Sequence, residues 1–554
     1  MATHGTALPP PASAGLLSIL FAHDDLSDDR VVWRNALDRT QEVTKSGARQ
    51  IVRRLVHGYR SAGLIRPSSA AEPSVFIVYC ENQVLTSPHM LAVIGTGSII
   101  ATCSHQATVP ELLYRVKLLK PAAVICSQAT LERTLSALRT SPYPFEIVVQ
   151  DSAAREIKNL KGHSYISNRE DSWDLAWNEE IAKKPAVLVF SSGTTGTPKG
   201  VAISQGNIIA MVEQLKIQFR PIRQKGRPLT MPVTLDSAHV AGMFINAMLP
   251  LGVGIEETLV PPTDIDLILQ TLEEYKMDMY LSVPPILARL VEHPRFAQAN
   301  LRSIKYMSTA AARTPVEIQQ AMSNAIAPGA FCQMSWGMTE LTFIATMSKP
   351  GVQSPWESVG KPLPGNSIRI RDENGKQLGV GETGEIYASG PTVTIGYYHA
   401  EMHHHEALKD GWLRTGDLGK IDENGYLYIM GRSKDMIKYN GTQVSPEELE
   451  TIIKEHDSVT EAAVVATELP DGNELPTAFV VLKNQPLDPT AVVAVEQDIR
   501  THTEKNVSPY KKLRGGVHVV SAIPKNPLGK VLYNELRVLA KKNYQGAKGG
   551  KPRL

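Results

Sequence analysis

Several things are scarce in this chain, and each scarcity excludes a class. There are four cysteines in 554 residues, Cys80, Cys103, Cys126 and Cys332. None has metal-ligand spacing, so they read as small buried hydrophobes of a reducing compartment. No apolar run approaches the roughly 18 residues of a membrane span. Gly15–Phe21 is apolar but short, follows Pro9-Pro10-Pro11 rather than basic residues, and leads into Asp24–Asp29. A signal peptide is therefore not expected. The formal net charge of +2 gives no pull toward nucleic acid or a membrane surface. Repeats of solenoid period are absent. What is left is an ordinary globular composition, 42% hydrophobic and 21% charged, in a chain too long for a single core. Two or more domains are expected.

The most informative stretch is Ser191-Ser192-Gly193-Thr194-Thr195-Gly196-Thr197-Pro198-Lys199-Gly200. Ala186–Phe190 before it reads as a short buried strand. Glycines let backbone N–H groups approach an anion, the hydroxyls add donors, and Lys199 supplies a point charge suited to phosphate. This is not the common P-loop, in which Gly-Lys is followed by Ser or Thr and opens directly into a helix. Here Gly200 follows the lysine, and the next helix is expected only near Asn207, with Ile208, Ile209, Met211, Val212 and Leu215 on its apolar face. The spacing predicts a strand, a polyphosphate-gripping loop and then that helix.

Elsewhere, short apolar runs alternate with helical patterns. Val75–Tyr79, Ser98–Ala101, Ala122–Cys126 and Phe145–Val149 are strand-like, with helical periodicity over Val109–Leu118 and Leu131–Leu138. This alternation argues for parallel α/β layers. Leu249–Gly254 and Met279–Val283 also read as strands. From Ser367 brief strands broken by Gly and Asp suggest a β-rich subdomain. Ser445-Pro446-Glu447-Glu448 predicts a helix start with a capping box, opening an α+β region of about 120 residues, a usual size for an independent unit.

Four further stretches, with the Ser191–Gly200 run, carry a resemblance. They are Ser308–Arg313 (STAAAR), Phe331–Glu340 (FCQMSWGMTE), Asp410–Pro446 and Ile523–Lys530 (IPKNPLGK). Together they resemble the acyl-adenylate-forming enzymes, which include acyl-CoA synthetases and 4-coumarate-CoA ligases. The resemblance spans nearly the whole chain. It departs from the family pattern at Thr309, Ala312, Met334, Ser335 and Leu528, and Trp336 stands where tyrosine is commoner.

The resemblance implies an α/β fold. A large N-terminal adenylate-forming domain (1–431) would have α/β layers plus the β-rich subdomain. A hinge at 432–436 and a small mobile α+β C-terminal domain (437–554) would follow. It implies ATP, Mg²⁺ and coenzyme A, with a small carboxylic acid as substrate. Ser191, Ser192, Gly193, Thr194, Thr195, Gly196, Thr197 and Lys199 would grip phosphates. Thr309, Ala310, Ala311, Trp336, Gly337, Met338 and Thr339 would receive the nucleotide, and Glu340 would help hold Mg²⁺. Asp417 would accept from the ribose hydroxyls, with Arg432 beside it. Lys434 falls at the hinge, and Lys438 and Gly441 in the segment used for thioester formation. His239, Gly242, Phe343 and Ile344 would line the acyl pocket, and Lys530 would stabilise the first transition state, with His239 as a further catalytic candidate.

The expected reaction is that of an acid–thiol ligase: carboxylate and ATP give acyl-AMP and pyrophosphate, then a thiol displaces AMP. Coenzyme A is the favoured thiol. An acyl-AMP ligase that loads a carrier protein in trans is the rival, followed by a non-catalytic binding relative and a luciferase-like oxygenase. The terminal Pro552-Arg553-Leu554 resembles a peroxisomal address; read as a frayed basic tail, it leaves a cytoplasmic protein. His403-His404-His405 reads as a solvated surface run. The substrate acid and the oligomeric state are not specified by these motifs.

Overall fold

The computed structural model describes residues 2–8, 14–22, 25–67, 72–173, 179–191, 199–399, 407–439, 442–469, 473–484, 488–525 and 529–548. The chain divides into two compact units. The larger comprises Ala2–Ile368 and Tyr387–Arg414; the smaller comprises Arg369–Ile386 and Thr415–Leu554, together with Met1.

The larger unit is built on an eight-stranded sheet. Its order is Gly396–Tyr397, Lys199–Ser204, Pro185–Ser191, Ile99–Thr102, Val75–Tyr79, Ala123–Cys126, Glu146–Asp151, Glu156–Asn159. The five strands from Pro185–Ser191 to Glu146–Asp151 run parallel, and the remaining pairings are antiparallel. The expected run of apolar strands without alternation follows from burial on both faces. Phe76, Val78, Ile100, Ile125 and Val187 enter one core. Val75, Ile77, Tyr79, Ile99 and Val124 enter the other. All four cysteines are buried and free. Burial pushes the Cys103 thiol up to about 11 and those of Cys126 and Cys332 up to about 12, so they are poor nucleophiles.

A second sheet joins Leu229–Val233, Ile255–Leu259, Val31–Asn35 and Glu42–Thr44. Three parallel strands, Met279–Ser282, Tyr306–Thr309 and Cys332–Met334, form a third. Leu249–Gly254, expected as a strand, is instead a π turn over Pro250–Gly254, and the strand begins at Ile255. A short apolar run that is buried on every side has the same pattern in either conformation. In the second sheet Glu257 lies opposite Met231 and Trp33. It is fully buried, and neither carboxyl oxygen has a hydrogen-bond partner among the described residues. Burial drives its pKa well above the usual carboxylate range.

The smaller unit includes the α+β region expected from the sequence. Its sheet Val459–Glu468, Glu474–Leu482, Gly516–Val519 packs Val464, Ala478 and Val480 with Leu449, Ile453 and Ile499 of two helices. On the other face Ala463, Val465 and Phe479 meet Leu536 and Ala540. Helix Pro446–Lys454 starts as predicted, with Pro446 at its first position and Ser445 Oγ accepting from Glu448 N at 3.4 Å. The reciprocal half of the predicted capping box is not made. The Glu448 carboxylate accepts from Lys511 Nζ at 2.6 and 2.7 Å instead, a charged partner outcompeting a backbone N–H.

Candidate active site

In the larger unit the strands on either side of the Gly/hydroxyl run pair with each other, Ser191 opposite Lys199. The run therefore joins two antiparallel strands, and the helix expected near Asn207 follows the second of them. Helix Gln205–Phe219 starts directly after the second strand, on a capping box between Ser204 and Asn207. Strand Lys199–Ser204 escapes a sequence reading because its apolar core, Val201-Ala202-Ile203, is three residues long. Ser192, Gly193, Thr194, Thr195, Gly196 and Thr197 lie outside the described residues, as do Gly441, His403–His405 and Pro552-Arg553-Leu554.

The ends of that run meet Glu340. Ser191 Oγ donates to Glu340 Oε1 at 3.3 Å, and Tyr397 Oη donates to the same oxygen at 3.0 Å. The Lys199 ammonium lies over the Tyr397 ring, 5.6 Å from its centroid. Strand Gly396–Tyr397 brings the tyrosine there by pairing with Val201 and Ala202. The backbone of Glu340 is tied to the same segment, since Thr394 N donates to its carbonyl at 2.8 Å. Burial and the neighbouring Glu340 charge push the Tyr397 phenol well above its usual value, so it remains protonated and a donor. Tyr397 was missed in the sequence; its signal was the aromatic pair Tyr397-Tyr398 after a glycine.

Glu340 belongs to a short 3₁₀ turn, Thr339–Leu341, beyond the third of the parallel strands. Ligands of open α/β sheets bind outside the carboxyl ends of such strands. Ser335 N donates to Thr309 O at 2.9 Å, and Ala345 N to Trp336 O at 2.8 Å, so the chain doubles back on itself. Gly337 is required by that turn-back: a Cβ there would stand 1.9 Å from Phe343 O. Trp336 and Thr309 are buried, and the Thr309 hydroxyl accepts from Thr314 Oγ1 at 3.1 Å. Ala310 is half-buried, whereas Ala311 is exposed and left-handed at φ 76°.

His239 is half-buried and N-caps helix Val240–Ala247. A Cβ on Gly242 would lie 2.0 Å from Asp236 O, so the first turn of this helix rests directly on backbone. Phe244 of the same helix stacks on Phe343 with centroids 5.4 Å apart. Phe343 and Ile344 are both buried. The loop before His239 is fixed by Asp236, which accepts from Ser104 Oγ and Ala238 N, each at 2.9 Å. His105 Nδ1 lies 3.4 Å from the same carboxylate. This contact raises the His105 pKa. Burial alone would raise Asp236, but His105 and the Ala238 N–H outweigh it and hold the carboxyl low. Asp236 and His105, far apart in sequence, offered no signal.

In the smaller unit Asp417 and Arg432 stand opposite each other on adjacent strands, with Arg432 Nε 3.0 Å from Asp417 Oδ1. Lys434 is in a 3₁₀ turn, Ser433–Asp435. Lys438 is in strand Ile437–Tyr439, opposite Gln443. Lys530 is exposed, just before Val531, which bridges to Lys525. No group of three or more metal-ligating side chains occurs among the described residues. A lone carboxylate such as Glu340 suits Mg²⁺, which binds through one or two carboxylates together with substrate phosphates.

Residues 28–398 match the profile of the AMP-binding enzyme family, and residues 448–530 that of the AMP-binding enzyme C-terminal domain. The chain is 29% identical over 534 residues to a phenylacetyl-CoA ligase of Aspergillus niger, covering 93% of this chain and 95% of that one. It is 30% identical over 505 residues to 4-coumarate–CoA ligase-like 4 of Oryza sativa subsp. japonica, covering 88% and 87%. ATP-bound MatB from Rhodopseudomonas palustris shares the fold, with a TM-score of 0.81 at 24% identity over 96% of this chain and 100% of that one. With both profiles matched in chain order and the fold shared end to end, the chain belongs to the AMP-binding enzyme family, as an adenylate-forming enzyme whose relatives include acyl- and aryl-CoA ligases.

Proposed function

We propose that the protein activates a small carboxylic acid as its acyl-adenylate and passes the acyl group to coenzyme A. The observation that carries this reading is the meeting of Ser191, Lys199 and Glu340 at the carboxyl side of the parallel strands. In the first half-reaction a carboxylate oxygen attacks the α-phosphorus of ATP and the bond to pyrophosphate breaks. Negative charge grows on the phosphate oxygens, where the run from Ser191 to Lys199 offers hydroxyls, backbone N–H groups and an ammonium. Mg²⁺ held by Glu340 would neutralise part of the phosphate charge. Asp417 would accept from the ribose hydroxyls, because its charge is matched by Arg432 while its lone pairs stay available. Lys530, on an exposed arm, would add a cation during adenylation.

In the second half-reaction the thiol sulfur attacks the acyl carbon and AMP leaves. One site serving two transition states of different shape calls for rotation of the small domain about Lys434, with Lys438 and Gly441 turned toward the adenylate. The stacked Phe244 and Phe343 supply bulk at the acyl wall, which supports a compact or aromatic acid over a long chain. Pyrophosphate release over aromatic, short, medium and long acids, followed by thioester detection at millimolar coenzyme A, tests the reading. The expected result is turnover with compact acids and a matching acyl-CoA. Pyrophosphate release without acyl-CoA would overturn the choice of acceptor in favour of a carrier protein, and no release with any acid would overturn the reading itself.

A further inference from the structure

The carboxylate of Glu340 is not left to find its own orientation. Both hydroxyls that reach it fall on Oε1, Ser191 Oγ at 3.3 Å and Tyr397 Oη at 3.0 Å. Among the described residues these are the side-chain donors to that carboxylate. Two neutral donors on one oxygen fix the plane of the group and bring no countercharge of their own. The Tyr397 ring also presents its face to the Lys199 ammonium. One side chain thus touches the cation and the anion of the phosphate side together.

Its own placement is strongly determined. Val201 pairs with Tyr397 and Ala202 with Gly396, and Tyr398 N donates to Gly200 O at 2.8 Å. Just upstream, Asn207 Nδ2 donates to the carbonyls of Pro391 and Val393, each at 2.8 Å. Thr342 Oγ1 donates to Thr392 O at 2.6 Å. Thr342 itself is buried and at φ 69°, a costly conformation for a β-branched residue. It follows Glu340 by two residues. The segment from Pro391 to Tyr398 is therefore clamped both to the strand after the phosphate-gripping run and to the turn carrying Glu340.

We propose that Tyr397 is a positioning residue for adenylation: its hydroxyl, with that of Ser191, orients Glu340 toward the divalent cation of the nucleotide, while its ring holds Lys199 beside it. The inference rests on the proposed function, specifically on Glu340 as the cation ligand. Partners of this kind, one bond removed from a metal, typically change metal affinity by about 10–100-fold when removed.

The test uses the full chain, a non-hydrolysable α,β-methylene analogue of ATP, and Mn²⁺ followed by electron paramagnetic resonance, so no turnover is needed. Tyr397→Phe keeps the ring over Lys199 and removes the hydroxyl. It is expected to weaken Mn²⁺ binding by about tenfold or more, with AMP affinity measured without metal unchanged. In a Glu340→Gln background the same change should have no further effect. If Glu340→Gln weakens Mn²⁺ binding but Tyr397→Phe leaves it within about twofold of wild type or tightens it, the positioning role is overturned and the cation reading stands. If Glu340→Gln has no effect, the cation reading fails, and the inference with it. Should Tyr397→Phe not fold, Ser191→Ala removes the other donor to Oε1; weaker Mn²⁺ binding supports the arrangement, and unchanged binding overturns it.

Discussion

Glu340 and Asp417 are both nearly removed from water, at 6% and 5% exposure, yet they are satisfied in opposite ways. Glu340, in the larger unit, takes two hydroxyl donors, and its negative charge is not cancelled by them. Asp417, in the smaller unit, has a guanidinium 3.0 Å away. A buried charge is costly unless it is paired, and on the proposed reading Mg²⁺ would bring the pairing charge to Glu340. A charge already matched suits neutral hydroxyl donors, which ask only for lone pairs. Glu257 is the third case: fully buried, with neither hydroxyl nor cation on its carboxyl among the described residues, it is pushed by burial toward the neutral form.

The largest effect expected from this comparison is at Glu340. Glu340→Gln keeps an acceptor for Ser191 and Tyr397 and removes the charge, and should slow acyl-AMP formation by about a hundredfold or more, comparable to losing a preorganised electrostatic element. Pyrophosphate release at saturating acid measures it. Asp417→Asn also keeps an acceptor but loses the match to Arg432. It should raise KM for ATP by about tenfold with a smaller change in kcat, the value of one charge-assisted hydrogen bond. If the two variants behave alike, the contrast between the two carboxylates is broken.

Glu257→Met sharpens the third case. Replacing a buried, unpartnered carboxyl by an apolar side chain of similar length should stabilise the protein by about 1–3 kcal/mol. The sign with pH follows from the raised folded-state pKa. The neutral acid is fully compatible with the fold below the unfolded value of about 4.3. Stability is then lost as pH rises from there through the folded value. Wild type should therefore fall further behind Glu257→Met from about pH 5 to about pH 9, measured by thermal unfolding.

The smallest effect is at His105. Its pKa is raised by Asp236, so its contribution is fully present below the unfolded value of about 6.5 and lost as pH climbs through the folded one. With the imidazole one-third exposed, the pair is worth only about half a kcal/mol. His105→Gln should flatten the decline of stability above neutral pH by that amount.

Legibility in the sequence followed burial. The central strands of the large sheet could be read because Val75–Tyr79 and Ala123–Cys126 are apolar throughout, as burial on both faces demands. Leu249–Gly254 is also short and buried, but Pro250, Gly252 and Gly254 interrupt it, and it forms a turn of π-helix instead of a strand. Glu340, Asp417 and Lys199 were singled out through their motifs. Asp236 and His105 were not, because their roles come from pairings between distant loops that leave no local pattern, and the Gly396-Tyr397-Tyr398 run marks an aromatic pair without showing that it reaches Glu340. The Ser445 cap was read correctly for its own hydroxyl, whereas the competition of Lys511 for Glu448 depends on a contact 63 residues away.

The pairing of Ser191 with Lys199 sets the two ends of the phosphate-gripping run side by side on neighbouring strands. The register of those strands is fixed by Val201, Ile203, Val187 and Val189, which all enter one core, and slipping the strands by one residue would turn them to the opposite face. The two strands thus serve as fixed posts, so a substitution between them that alters nucleotide handling can be attributed to the run and not to a shift of its anchors.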